Sequence, residues 1–399
     1  MASISTSIHS TDCDTGGFVV SPASIHLCHR ILRESEAIIR NLGTLGLSEE
    51  DCQKIYNDLK VRGLLLFNEH APKISRKITG YPFSLYWNSS NVYCNIKSEN
   101  DDSLPMGGMK MAKPAISLFT GARYKRLVPC LESIQVEELL AGLRSEWGFL
   151  ETLKGCRGVA QVEGFFEREK GDPDGCVSIS IYEQEYRLGD LAIHLDNLSF
   201  LHKWQIAEDL IYGLDNIHKK EIVHCDIKPR NIFLDQLEDG RTQAVIGDFD
   251  LALWLDPNPD CDIDVDGPFA IFSPEKARVF WQLDDEPQLR WDSADEQRSD
   301  VWALGKVLYR LFAEHFEPLR RGVIGNYFGR NDEGLQVKFL VSLSAQEPFF
   351  PEPPLPLSLP RLIFGMLQVD PVRRLTAAQA LNLWNEIKQN EMPPDERKM

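Results

Sequence analysis

The chain has 399 residues, of which 43% are hydrophobic and 10% aromatic, a globular composition that excludes disorder as its default state. A formal net charge of -17 excludes nucleic acid and anionic membranes as general partners, because phosphate binding needs concentrated Lys and Arg. No stretch approaches the roughly 18 apolar residues a membrane helix needs, since "GLLLF" near residue 65 is flanked by Arg62 and Glu69.

The nine cysteines are scattered (Cys13, Cys28, Cys52, Cys94, Cys130, Cys156, Cys176, Cys225, Cys261) and form no C-x-x-C pair, so they read as reduced thiols. Cys13, His26, Cys28 and His29 match no common zinc spacing. No Lys or Arg occurs before Arg30, which argues against a secretory or transit leader. The expected address is cytoplasmic, with nothing against a nuclear one.

In chain order, residues 1–20 are rich in Ser, Thr and Asp and read as a flexible arm. Ile25, Leu27, Ile31, Leu32, Ile38, Ile39 and Leu42 recur at helical spacing, predicting one helix from Pro22 to a stop at Gly43. Ser48 followed by Asp51 resembles a capping box opening a second helix that runs to about Asn68. "FSLYW" and "VYCNI" around "NSSN" predict a hairpin, and the acidic "SENDDSLPMGG" (98–108) reads as a loop. "AISLF" and "RYKRLV", joined through Thr120 and Gly121, predict two short strands. A helix over 133–153 and strands at "GVAQVEGFF" and "CVSISIY" complete a small sheet with one helix, after which the pattern is mainly helical.

Two stretches concentrate chemistry. "IVHCDIKPRN" (222–231) sets His224, Asp226, Lys228 and Asn231 behind an apolar run, and "IGDFDLA" (246–252) delivers Asp248 seventeen residues after Asn231. Two carboxylates and an Asn on neighbouring loops suit phosphoryl transfer from a magnesium nucleotide. Asp226 is the candidate base for a hydroxyl nucleophile, Lys228 the candidate cation for the transferring group, and Asn231 and Asp248 the candidate metal ligands.

These motifs resemble the eukaryotic-type protein kinase family, in order, over about residues 105–388. His224 to Asn231 is similar to the catalytic loop, and Asp248-Phe249-Asp250 stands where the family has Asp-Phe-Gly. Ser273-Pro274-Glu275 is similar to the Ala-Pro-Glu ending the activation segment, and "SDVWALG" (299–305) to the helix whose Asp300 braces the catalytic loop. "DPVRRLTAAQAL" (370–381) places Arg374 to pair with Glu275.

The resemblance implies an α+β, bilobal fold. It has a small, mainly antiparallel β lobe with one major helix (about 105–186) and a larger, mainly helical lobe (about 187–390). An N-terminal helical and hairpin extension (21–104) precedes it and a tail (391–399) follows. It further implies a protein kinase using ATP and Mg2+, or Mn2+, on a protein substrate. Glu146 in "SEWGFLETL" is nominated to pair with the phosphate-binding Lys125, 21 residues upstream, with Lys97 as a rival. "PMGGMKMAK" (105–113) is a weak stand-in for the glycine loop, since Gly107 and Gly108 lack the family spacing. Asp190, in the hinge-like "IYEQEYRLGDL", is a candidate for the ribose.

The departures carry expectations of their own. Cys225 replaces the Arg that receives an activation-loop phosphate, and Leu251 to Phe272 contain no Ser, Thr or Tyr. Activity is therefore expected not to wait for phosphorylation of that segment. Cys225 reads as a buried small side chain, with a redox switch as the rival. Asp256, Asp260, Asp262, Asp264 and Asp266 in the segment favour basic peptide substrates. Lys228 favours Ser/Thr hydroxyls, against Pro268, which occupies a position similar to the tyrosine branch. Asp250 in place of Gly, together with the weak glycine loop, keeps open a pseudokinase that binds nucleotide or a partner. The sequence names no partner for the extension.

Overall fold

The computed structural model describes residues 22–65, 73–74, 83–87, 91–96, 104–106, 110–129, 136–168, 178–255, 271–282, 293–316 and 358–391. The arm (1–20), Lys97, Gly107, Gly108, Pro268, the aspartates of 256–266 and the tail from 392 lie outside them. The chain forms two compact units, Met1–Val128 and Pro129–Met399.

The first unit begins with α1 (Pro22–Arg33), α2 (Ser35–Gly43) and α3 (Glu49–Leu65). The single helix expected over 22–43 is two segments, because Glu34 leaves helical geometry (φ -102, ψ 29) while its carboxylate takes Arg30 Nε at 3.0 Å. Ser48 caps α3 as its sequence suggests, its Oγ accepting the Asp51 N–H at 3.1 Å and donating to the Asp51 carboxylate at 2.7 Å.

The strands β1 (Lys73–Ile74), β2 (Phe83–Trp87), β3 (Val92–Ile96), β4 (Leu104–Met106), β5 (Lys110–Ser117) and β6 (Arg123–Pro129) follow. The expected hairpin forms, with Trp87 opposite Val92 and Phe83 opposite Ile96. The stretch 98–108, read as a loop, contains β4, which among the described strands pairs with β5 alone; that edge place accommodates Pro105, which has no N–H to donate. β3 also pairs with β5, so the hairpin of the extension and the strands after residue 104 share one sheet.

The helical layer covers one face of that sheet. Leu27, Ile31, Ile38, Leu42, Ile55 and Leu59 are buried with Leu85, Val92, Cys94, Ile116, Leu118 and Phe119. Each buried aliphatic side chain in this contact contributes roughly 1.5–3 kcal/mol. Asn41 of α2 adds specificity, donating through Nδ2 to the Leu118 carbonyl at 2.9 Å at the end of β5. The β5–β6 turn places Gly121 at φ +74 with Asn41 Oδ1 2.9 Å from where a Cβ would sit, so this turn needs glycine twice over.

The second unit contains α4 (Val136–Thr152), the antiparallel pair β7 (Val162–Arg168) and β8 (Ser178–Gln184), and β9 (Gly189–Asp190). Then come α5 (Phe200–Lys219), β10 (Ile222–Val223), β11 (Ile232–Gln236), β12 (Thr242–Ile246) and β13 (Leu253–Trp254). The helices α6 (Pro274–Gln282), α7 (Ser293–Phe312), α8 (Leu359–Met366) and α9 (Ala377–Glu391) complete it. Its organising axis is α5, capped by Ser199 Oγ on the His202 N–H and buried along most of its length. Gly158 and Gly213 let the segment after α4 touch α5 backbone to backbone: a Cβ on Gly213 would lie 2.3 Å from the Gly158 carbonyl oxygen. Asp209, buried on α5, accepts from Arg157 Nε at 2.8 Å and the Ala244 N–H at 3.1 Å, joining that segment to β12. The order β12-β11-β9 then places Asp190 opposite Phe233, next to the loop that precedes β11.

Candidate active site

The loop between β10 and β11 is built around Asp300 of α7. One of its carboxylate oxygens accepts the His224 N–H at 2.8 Å and the other the Cys225 N–H at 2.9 Å. His218, at the end of α5, lies 3.1 Å from the same carboxylate through Nε2; nothing in its sequence position marks it for this contact. These bonds hold Cys225 at φ +64, a conformation an L-residue adopts at a cost of about 1–3 kcal/mol. Cys225 is 7% exposed. Burial, followed by the carboxylates of Glu296 and Asp300, pushes its thiol well above the ordinary range. That is the environment of an inert small side chain, as the first of the two sequence readings holds.

His224 is fully buried; its Nδ1 faces the Asp226 N–H at 3.2 Å and its Nε2 the Gly247 carbonyl at 3.1 Å, so the ring joins the two loops. The Gly247 N–H donates to the Asn231 carbonyl at 2.9 Å, and Phe249 packs on the imidazole with 4.6 Å between ring centres. Asp248, at φ +66, is thus presented from a backbone pinned on both sides.

Asp226, Lys228 and Asn231 meet at one carboxylate oxygen. Asp226 Oδ2 accepts from Lys228 Nζ at 2.6 Å and Asn231 Nδ2 at 2.8 Å, and the Asn231 amide also reaches the Asp226 carbonyl at 3.0 Å. Asp226 Oδ1 is buried with no hydrogen-bond partner among the described residues. Leaving an acceptor unsatisfied in a low-dielectric site is costly, and such atoms mark where a ligand donor is received.

Asp248 is grouped with two other acids: Glu146 of α4, Asp248 and Asp250 each bring a carboxylate oxygen within 4.8 Å of the other two. Hard oxygen donors at this spacing fit a divalent cation. Glu146 and Asp250 were not in the metal set the sequence suggests; the signal for Asp250 was its departure from Gly. Glu146 is buried on α4. Lys125 is half-buried on β6 in the first unit. Asp190 presents a second buried carboxylate oxygen, Oδ1, without a hydrogen-bond partner among the described residues.

The segment after Asp248 is tied down at both described ends. Leu253 and Trp254 pair with Val223 and Ile222, and the Leu255 N–H reaches the Glu221 carbonyl at 2.7 Å. At the far end Glu275 receives Arg374 through two bonds, at 2.6 and 2.8 Å, the pairing expected from sequence.

The family model "Protein kinase domain" matches residues 132–384. A MAP kinase-interacting serine/threonine-protein kinase 1 from Xenopus tropicalis is 26% identical over 301 residues, covering 70% of this chain and 66% of the relative. A eukaryotic translation initiation factor 2-alpha kinase 1 from Plasmodium falciparum is 31% identical over 158 residues, 36% of this chain and 9% of the relative. Tyrosine-protein kinase JAK3 from Rattus norvegicus is 30% identical over 140 residues, 35% of this chain and 10% of the relative. The chain thus spans a small part of the second and third of these relatives, and under two thirds of the first. With the catalytic-loop geometry, the doubly bonded Glu275–Arg374 pair and the α+β fold, the match places this chain in the protein kinase family.

Proposed function

We propose that this protein is a serine/threonine kinase for protein substrates that uses ATP and Mg2+, or Mn2+, and needs no phosphate on its activation segment. The observation that carries the reading is the Asp226 carboxylate, one oxygen fixed by Lys228 and Asn231 and the other buried without a hydrogen-bond partner among the described residues. An incoming hydroxyl donates to that second oxygen, so Asp226 orients the nucleophile and accepts its proton as the bond to phosphorus forms. Lys228, already at the carboxylate, offsets charge on the transferring group.

ATP with a divalent cation supplies the phosphoryl group and its electrophilic activation when bound. Asp248 and Asn231 are the proposed cation ligands; Asp250 adds a carboxylate at the same place. Lys125 is proposed to hold the nucleotide phosphates with Glu146 as its partner, and Asp190 to receive the ribose. Lys228 supports Ser/Thr as the acceptor, basic residues around it are favoured by the acidic segment, and a cytoplasmic site of action is proposed from the nine scattered cysteines, a pattern suited to a reducing compartment.

Transfer of radiolabelled phosphate from ATP to a mixed protein substrate tests the reading. Asp226→Ala is expected to lower transfer by about a hundredfold or more, the usual worth of a general base, and Asp248→Ala by a comparable amount. Equal signals from wild type and both variants would leave a pseudokinase scaffold, the reading that Asp250 favours. Phosphatase treatment should leave wild-type transfer unchanged.

A further inference from the structure

Two successive residues of α6 make ion pairs with different parts of the second unit. Glu275 takes Arg374, whose side chain is fully buried, and Lys276 takes Glu296 of α7, Nζ to Oε1 at 2.6 Å. The Lys276 and Glu296 side chains are 2% and 3% exposed, and the ammonium also sits 5.0 Å from the centre of the Phe272 ring. Neighbouring positions on a helix point about 100° apart, so these opposite charges fix both the place and the rotation of α6. Arg374 also donates to the Arg298 carbonyl at 2.8 Å, which closes the contacts among α6, α7 and the 370–376 segment.

The energetic argument says what such a pair is for. Burying two charges costs solvation that their attraction barely recovers, and apolar replacements of similar volume are commonly as stable or more so. Stability therefore does not account for Lys276–Glu296; register does. Glu296 and Asp300 are four residues apart, one turn, on the same face of α7. Asp300 holds the backbone of His224 and Cys225, and Glu296 holds the residue following the activation segment.

We infer that Lys276–Glu296 is a constitutive positioning clamp, registering the end of the activation segment against the catalytic loop through one face of α7, with no added phosphate. Lys276 and Glu296 touch no reacting atom; they are positioning residues acting through α7 and residues 271–275. The inference rests on the phosphorylation-independent kinase reading and deepens it.

Three variants of the full chain test it: Lys276→Arg, Lys276→Met, and the double variant Lys276→Met with Glu296→Leu. Because Lys276→Met leaves a buried carboxylate without this cation and risks misfolding, the double variant, whose apolar pair preserves the fold, decides the matter. Amide hydrogen exchange is read at residues 271–282 and 222–231, beside kcat and KM for a peptide substrate and the Kd for nucleotide. The double variant is expected to melt with wild type yet exchange about tenfold faster in both segments. Its kcat should fall about tenfold with nucleotide Kd unchanged, and Lys276→Arg should keep wild-type exchange. Wild-type exchange at 222–231 in the double variant would overturn the clamp. Exchange needs no catalysis, so a wild-type protein that transfers no phosphate would refute the kinase reading separately.

Discussion

At the scale of single residues, chemistry and backbone geometry are inseparable in this protein. Cys225 and Asp248 both occupy the left-handed region, at φ +64 and +66, immediately before Asp226 and at the start of Asp248-Phe249-Asp250. Such conformations persist where surrounding bonds over-determine them, here Asp300 and His224. The catalytic nominations were legible because Asp226, Lys228 and Asn231 lie within six residues of one another. The left-handed conformation of Cys225 was not, although the resemblance names Asp300, 75 residues away, as the brace of this loop, because residue type alone does not show that an L-residue takes a positive φ. A separate residue sets a pH dependence. Burial, and secondly Arg310, pulls the Lys306 ammonium down to about 7 from its ordinary 10.5. Between those values the unfolded chain binds more protons than the folded one, so this residue's contribution to stability rises with pH across the window; its penalty is largest below pH 7 and gone above 10.5. Lys306→Met is therefore expected to gain on the order of 2–4 kcal/mol near neutral pH and to lose that advantage as the pH approaches the unfolded value. Urea unfolding of both proteins at the two ends of the window checks this, and an advantage independent of pH would refute it.

At the scale of elements, periodicity located the longer helices and the 83–96 hairpin, because α5, α7 and that hairpin carry their burial pattern in their own residues, and it left short elements such as β1, β9, β10, β11, β13 and α6 unread. It missed β4, whose three residues are strand only because β5 offers an edge, and it missed the break at Glu34, which a local ion pair accompanies. The Lys276–Glu296 contact was equally invisible, joining two helices through residues that look like ordinary surface charge in sequence. The closest approach of elements gives a direct prediction. Gly213→Ala places a methyl 2.3 Å from the Gly158 carbonyl oxygen, backbone that cannot swing aside as a side chain would. A loss of about 2–3 kcal/mol is expected, seen as a lower thermal midpoint. Gly142→Ala, with open space around its Cβ position, should be neutral or gain up to about 1 kcal/mol from helix propensity. Equal effects at the two sites would contradict the backbone contact between α5 and the segment before β7.

At the scale of the whole molecule, the net charge of -17 is the dominant long-range property. A field of that sign raises the encounter rate with basic peptides and weakens as salt shortens the Debye length to about 10 Å at 0.1 M. The peptide KM should therefore rise severalfold between low and high salt for a substrate with Lys and Arg around the acceptor, and stay flat for a neutral one. A peptide array preferring acidic flanks would contradict this.

The sheet of the first unit bears on how the protein may be divided. The resemblance read from the sequence begins at about residue 105, yet β5 is hydrogen-bonded to β3, and the carbonyl at its end is gripped by Asn41 of α2. A gene fragment starting after α3 would strip the cover from Leu85, Val92, Cys94, Ile116 and Leu118, and is expected to elute as an aggregate. A cut near residue 105 thus runs through the first unit and is not a seam in the polymer. The helices ahead of it fold with the sheet of the first unit, so changes there are constrained by folding before any question of regulation arises.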